Sequence, residues 1–199
     1  MSAPARPRIV WDLDDTLNEL MLAWHGWFNR DRRTGGVRLS FAELRENPPH
    51  RLLGLAEDEY RASLDRFRLS PAGRNLEPSP AALAWFERHG FEFEHHVLTA
   101  RSLATVPAAA EWVFSHFGRW IRHFHFIPAV RAGEVLPDAG QAKADVIREL
   151  GPARYFVDDN PAEVEAARAC VEESLLVAQP WNAGGSPLAE LLARLPAAV

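Results

Sequence analysis

Of the 22 basic residues in this 199-residue chain only one, Lys143, is a lysine, and the chain has a single cysteine, Cys170. One cysteine cannot close an internal disulfide, which excludes a disulfide scaffold and suits a reducing compartment, so a cytoplasmic location is expected. The opening MSAPARPR runs straight into IVWDLDD without an apolar stretch, so no secretory signal is expected. Long hydrophobic runs are also missing. The longest uncharged stretch, Ser174 to Ala189, is broken by Pro180, Gly184, Gly185 and Pro187, which defeats a spanning helix, and no membrane association is expected. Nor is there a surplus of positive charge. With 27 acidic residues against 22 basic ones the net charge is −5, which argues against broad binding to nucleic-acid backbone or anionic lipid. Neither an internal repeat nor a low-complexity segment is present. Oligomeric state leaves no sequence signal here.

What is present is globular: 47% hydrophobic, 25% charged and 10% aromatic residues, enough for one main domain with a modest insertion. Apolar runs that end in polar residues predict strands at Arg8 to Trp11, Glu94 to Leu98, His123 to Ile127, Arg154 to Val157 and Leu175 to Ala178. Helical patterns lie between most of them, at Pro80 to Arg88, Val106 to Phe117, Gln141 to Leu150 and Pro161 to Cys170, several opened by proline and closed by glycine. This alternation predicts a doubly wound, mainly parallel α/β sheet. The stretch from about Asn18 to Gly73 has helical periodicity and no strand, and reads as a helical cap inserted after the first strand. Within it Leu20, Met21, Trp24, Trp27 and Phe28 share one helix face, a second helix is expected over Glu57 to Phe67, and Arg32 to Val37 and Asn47 to Pro49 read as loops.

Four segments carry candidate chemistry. In IVWDLDDTL, Asp12 and Asp14 follow a buried strand, at the sheet edge where ligands bind in open α/β folds. Carboxylates crowded there call for a cation or a proton, although acidic residues are also ordinary in turns. HVLTARS places the Thr99 hydroxyl and the N–H groups of Ala100 and Arg101 at the same edge. They suit a phosphate, although a threonine there can also cap a helix. Lys143 offers a compact point charge able to sit between a carboxylate and a phosphoryl oxygen. YFVDDNP ends another strand in Asp158 and Asp159, oxygen donors of the kind Mg²⁺ prefers, with one of Asp159 and Asn160 available to cap the following helix.

In that order, Asp-x-Asp-x-Thr, then Thr, Lys and Asp-Asp, these segments resemble the haloacid dehalogenase superfamily of phosphotransfer enzymes. The resemblance implies a core of residues 1–17 and 74–199, a cap of residues 18–73, and Mg²⁺-dependent hydrolysis of a small phosphomonoester through an aspartyl phosphate. By position, Asp12 would be the nucleophile and Asp14 the general acid/base, held away from full ionisation. Thr99, Ala100, Arg101 and Lys143 would bind the phosphate, and Asp12, Asp14, Asp158 and Asp159 would surround the metal. An aspartate at position 14 favours phosphoester hydrolysis over dehalogenation. A fainter likeness, through the helical insertion, LEPSPAA, WVFSHFG and VAQPWN, is to the 5'(3')-deoxyribonucleotidases, which suggests a nucleotide among the candidate substrates. Phosphotransfer to an acceptor other than water, a phosphorylation-switched signalling receiver and a non-catalytic metabolite binder are the alternatives.

Other residues read as structural. The Trp24, Trp27 and Phe28 stripe fits the cap's own core, and Cys170 a small buried hydrophobe. Arg30, Arg32 and Arg33 fit a solvated loop. His95, His96, His123 and His125 invite a zinc reading, but no cysteine accompanies them and they are taken as structural or surface histidines.

Overall fold

A computed structural model describes residues 6–31, 38–137 and 140–195. The expected loop at Arg32 to Val37, with Arg32 and Arg33 of the arginine cluster, lies outside them. Five strands form one parallel sheet: β1 (Arg8–Trp11), β2 (Glu94–Arg101), β3 (His123–Pro128), β4 (Ala153–Asp158) and β5 (Val171–Leu176), in the order β3-β2-β1-β4-β5. The first strand is therefore central, and its neighbours are the two strands that carry the Thr99 and Asp158 segments. Two routes diverge from β1, so the carboxyl ends of β1, β2 and β4 meet at a topological switch point.

Alternation along the strands fills both sides of the sheet. Ile9, Trp11, Val97 and Val157 face α4 (Pro80–His89), α5 (Val106–Phe117) and α8 (Leu188–Ala193), whose Phe86, Val113 and Leu191 complete that core. Val10, Leu98 and Phe156 face α6 (Lys143–Leu150) and α7 (Pro161–Ala167) through Ile147 and Val164. A side chain such as Phe86 or Phe156, fully buried, contributes about 2–3 kcal/mol by leaving water.

Between β1 and α4 the chain forms α1 (Leu20–Asp31), α2 (Glu57–Leu69) and the short α3 (Pro71–Arg74). These helices gather an apolar cluster of their own around Met21, Trp24, Tyr60 and Phe67, with Trp27 and Phe28 packed against it. The indole N–H of Trp24 donates to Ser63 Oγ at 3.2 Å, which fastens α1 to α2. The two ends of the insertion lie side by side, since Asn18 bridges Pro78 and Ser79 N–H donates to the Leu17 carbonyl at 2.7 Å.

The β1 and α5 ranges match expectation, whereas β5 lies four residues earlier at its start than predicted. Its Glu172 and Glu173 break the apolar pattern, which an edge strand tolerates because one side faces water. The helix expected from Gln141 begins at Lys143, because Ala142 is extended. That expected to Cys170 stops at Ala167, and α3 and α8 were not anticipated.

Candidate active site

A sharp turn follows β1. Asp15 takes a left-handed backbone (φ 59°), unusual for a residue with a side chain. Its conformation is held from several sides: Asp15 Oδ1 accepts from Met21 N–H at 2.9 Å, Asn18 Oδ1 accepts from Leu20 N–H at 3.0 Å, and Gln179 Nε2 donates to the Asp15 carbonyl at 2.9 Å. The turn sets Asp12, Asp14 and Asp15 around a cleft, which Thr99, Ala100, Lys143, Asp158 and Asp159 also line.

Lys143, the first residue of α6, reaches across the cleft floor. Its Nζ donates to Asp12 Oδ1 at 2.5 Å and to Asp158 Oδ2 at 2.6 Å, with all three side chains buried. Both carboxylates hold the ammonium protonated far above its usual range. Asp158 is positioned further by Asn160, whose N–H donates to Oδ1 at 2.7 Å, while the Asn160 side chain caps α7 by accepting from Ala162 N–H at 2.9 Å. The capping role thus falls to Asn160, and Asp159 is left facing the cleft.

Carboxylate oxygens of Asp12, Asp158 and Asp159 lie within 4.8 Å of one another. Burial pushes Asp12 and Asp15 well up, and raises Asp159 to about 7 against the indole N–H of Trp181, which donates to its Oδ2 at 2.7 Å. Five buried or nearly buried carboxylates, at positions 12, 14, 15, 158 and 159, face three cationic side chains, Lys143, Arg68 and Arg101. Fully ionised, the cluster carries two uncompensated negative charges, and its donors at the closest point are all oxygen. A hard divalent cation fits that set better than a soft one.

Asp14 stands apart. Its carboxylate accepts from Arg101 Nη2 at 2.8 and 2.7 Å and from Arg68 Nη2 at 2.7 Å. Although burial alone would raise it, the two guanidiniums hold Asp14 below the ordinary carboxylate range. The Asp14 side chain lies outside the close carboxylate group, and it is held ionised rather than partly protonated, because two buried arginines converge on it. Arg101 likewise faces Asp14, while its Nε and that of Arg68 have no hydrogen-bond partner.

Several residues at the cleft escaped the sequence reading. Arg68 comes from α2, and Leu20, Met21, Asn47, Tyr60 and Leu64 roof the opposite side. None of Trp24, Trp27 and Phe28 borders it. The VAQPWN segment bends back over the sheet edge: besides Gln179 and Trp181, Asn182 Nδ2 donates to the carbonyls of Asp159 at 2.6 Å and Val177 at 2.9 Å. The segment had been noticed only as part of a family likeness, and its position just after the last strand was the signal that could have placed it here.

No protein-family model matches the sequence, and no curated protein matches it. Solved structures do. A haloacid dehalogenase-like hydrolase from Streptococcus pneumoniae superposes with a TM-score of 0.59 at 13% identity, covering 94% of this chain and 90% of that one. An L-2-haloacid dehalogenase gives 0.53 at 17% identity, covering 92% and 90%. A magnesium-bound protein from Bacillus subtilis, provisionally assigned as a hydrolase of the same kind, gives 0.55 at 13%, covering 95% and 98%.

Proposed function

The chain has the fold of the haloacid dehalogenase-superfamily hydrolases, and from that premise we propose that it is a Mg²⁺-dependent phosphomonoester hydrolase acting on a small phosphorylated metabolite. One observation carries the reading: Lys143 bridges Asp12 and Asp158 at the floor of a cleft whose rim holds Thr99 and Asp159. Strand order speaks against a signalling receiver. In receivers the first strand lies between the second and third, whereas here it lies between the second and fourth.

Asp12, Asp158 and Asp159 would hold the metal, which when bound offsets repulsion between a carboxylate and phosphoryl oxygens. Lys143 keeps Asp12 oriented and supplies positive charge next to the attacking oxygen. An Asp12 oxygen bonds to phosphorus as the bond to the leaving alkoxide breaks, and Asp14 passes that alkoxide its proton. Asp14, again a carboxylate, then takes a proton from water as the water attacks the phosphorus and frees Asp12 and phosphate. Thr99 and the Ala100 N–H, which line the cleft, would hold phosphoryl oxygens.

Asp14 needs a proton for the first half, yet its arginines oppose one. A phosphoryl group entering the cleft competes for Arg68, which lines it, and as that guanidinium turns to it the Asp14 anion loses a partner and takes up a proton. Substrate itself thereby arms the acid. Residues 18–73 would act as a cap over the core formed by 1–17 and 74–199, with Arg68 as its contribution to the chemistry.

A panel of phosphorylated metabolites, including purine and pyrimidine deoxynucleotides, assayed for free phosphate with Mg²⁺ and no added acceptor, tests the reading. Asp12→Asn is expected to lose at least about 10³-fold in turnover and Asp14→Asn roughly 10²–10⁴-fold. Unchanged turnover in Asp12→Asn rules out the covalent route. Phosphate appearing only with an added alcohol acceptor would identify a phosphotransferase instead.

A further inference from the structure

A second group of ligating side chains lies at the other end of the sheet. Glu94 opens β2, His96 follows two residues later on the same face, and His123, the first residue of β3, is the direct cross-strand partner of His96. One ligand atom from each lies within 4.8 Å of the other two. The His96 and His123 rings stack with centroids 4.1 Å apart, His96 Nε2 is 2.8 Å from Glu94 Oε1, and His123 Nε2 is 3.7 Å from the same oxygen. His96 is buried, while the side chains of Glu94 and His123 are 33% and 47% exposed, so the group opens to water. From Glu94 to Thr99 the strand spans about 16 Å, which separates this group from the acidic cleft.

We propose that Glu94, His96 and His123 form a binding site for a borderline divalent transition metal of the Zn²⁺ class. Two imidazoles and one carboxylate, with a position left to solvent, are a donor set that such ions prefer and Mg²⁺ does not. His125 supplies the orienting partner, its Nε2 lying 3.0 Å from His96 Nδ1 with the rings nearly parallel. When His96 Nε2 turns from Glu94 to a metal, its proton moves to Nδ1 and is donated to His125 Nε2, whose own proton moves to Nδ1 through water. The exchange is neutral overall, and it fixes the ring as outer partners of metal-bound histidines do.

His95 belongs elsewhere. Pointing to the opposite face, it accepts from Trp11 Nε1 at 3.1 Å and donates to the Gly90 carbonyl at 2.9 Å, a structural histidine as expected. One nearby charge works against a cation: Arg8 Nη2 is 3.4 Å from Glu94 Oε1. Arg8 keeps its bond to the Leu150 carbonyl when Glu94 turns away, so it weakens the site without blocking it. An ion here would tie the edge strand β3 to β2 through side chains.

The test is titration of the untagged full-length chain with Zn²⁺, and with Co²⁺ for its visible absorption, in excess Mg²⁺. The expected result is one Zn²⁺ per chain, retained in Asp12→Asn. Affinity should fall by more than about tenfold in the exposed-site variant His123→Ala, and by roughly 10-fold in His125→Ala. Arg8→Gln is expected to tighten binding. His123→Ala should leave any Mg²⁺-dependent turnover of the parent unchanged, and the Zn²⁺ titration itself reads the site whether or not the hydrolase reading holds. Absence of Zn²⁺ binding, binding unaffected by His123→Ala, or binding lost in Asp12→Asn would each overturn the assignment.

Discussion

Asp159 shows how single contacts set the chemistry available at the cleft. Its carboxyl is buried beside Asp158, and the Trp181 indole, ahead of Lys143, favours its ionised form, leaving it near 7. Trp181→Phe keeps an aromatic ring but removes that N–H, so the proton is held to higher pH and competes with a cation. The concentration of Mg²⁺ giving half-maximal activity is therefore expected to rise at pH 7 and to approach that of the parent at pH 9. An equal loss at both pH values would assign Trp181 a packing role alone. The same contact explains a limit of sequence reading. Asp12, Asp14, Thr99 and Asp158 could be picked out because each lies at or just past the carboxyl end of an apolar run, and Lys143 because it is the chain's one lysine. Nothing local announces that Trp181 would touch a carboxylate 22 residues away, or that Arg68 and Arg101 would meet on Asp14.

At the scale of elements, α2 is held over the cleft by charge. Arg131, just beyond β3, donates from Nε to Asp65 Oδ2 at 2.7 Å and from Nη2 to Oδ1 at 3.0 Å, and Arg68 reaches the same Asp65 at 3.3 Å and Asp14 at 2.7 Å. Asp65 and Arg68 are one turn apart on α2, so a single helix face joins the core at two points. The guanidinium partners hold Asp65 below the usual carboxylate range despite its partial burial. Such paired, half-buried contacts contribute on the order of 1–3 kcal/mol. Asp65→Asn is expected to loosen α2, raising KM several-fold while leaving kcat within about threefold, with a weaker salt dependence of KM than the parent. A fall in kcat alone would place Asp65 in the chemistry instead. Sequence periodicity identified α2 as a helix, but not its latch, because the partner Arg131 lies 66 residues away.

For the molecule as a whole, buried titratable groups pull stability in opposite directions. His95 and His96, held down to about 4 by burial, are neutral in the fold, whereas the unfolded chain takes up protons below about 6.5. Their contribution is lost as pH falls from about 6.5 to 4. Asp159 at about 7, with Asp12 and Asp15 also raised, retains protons that the unfolded chain releases near 4. Their cost therefore grows as pH rises from about 4 through 7. Above about 6.5 only the carboxylates still titrate. In chelator, the melting temperature is expected to fall between pH 6.5 and 8, by roughly 3–5 °C for each pH unit over which the fold still holds a proton that the unfolded chain has released, levelling off once that proton is lost. Mg²⁺ should abolish most of that fall by taking the place of the protons. Calorimetry with and without Mg²⁺ checks both the sign and its reversal, and a melting temperature rising over that window in chelator would contradict the buried-charge account.

The sequence by itself determined the layered α/β plan, the helical insertion and the chemical types gathered at one sheet edge. Strand alternation, helix periodicity and proline or glycine boundaries act over a few residues, and parallel strands deliver their ends to a common edge. Only the tertiary structure decided that Asp14 is an ion clamped by arginines from two elements. It alone set Asp159 close to neutrality, and it brought Glu94 to two histidines that had looked merely structural. Those outcomes depend on burial and on partners tens of residues apart, and a side chain's charge is settled by what packing places within a few ångströms of it.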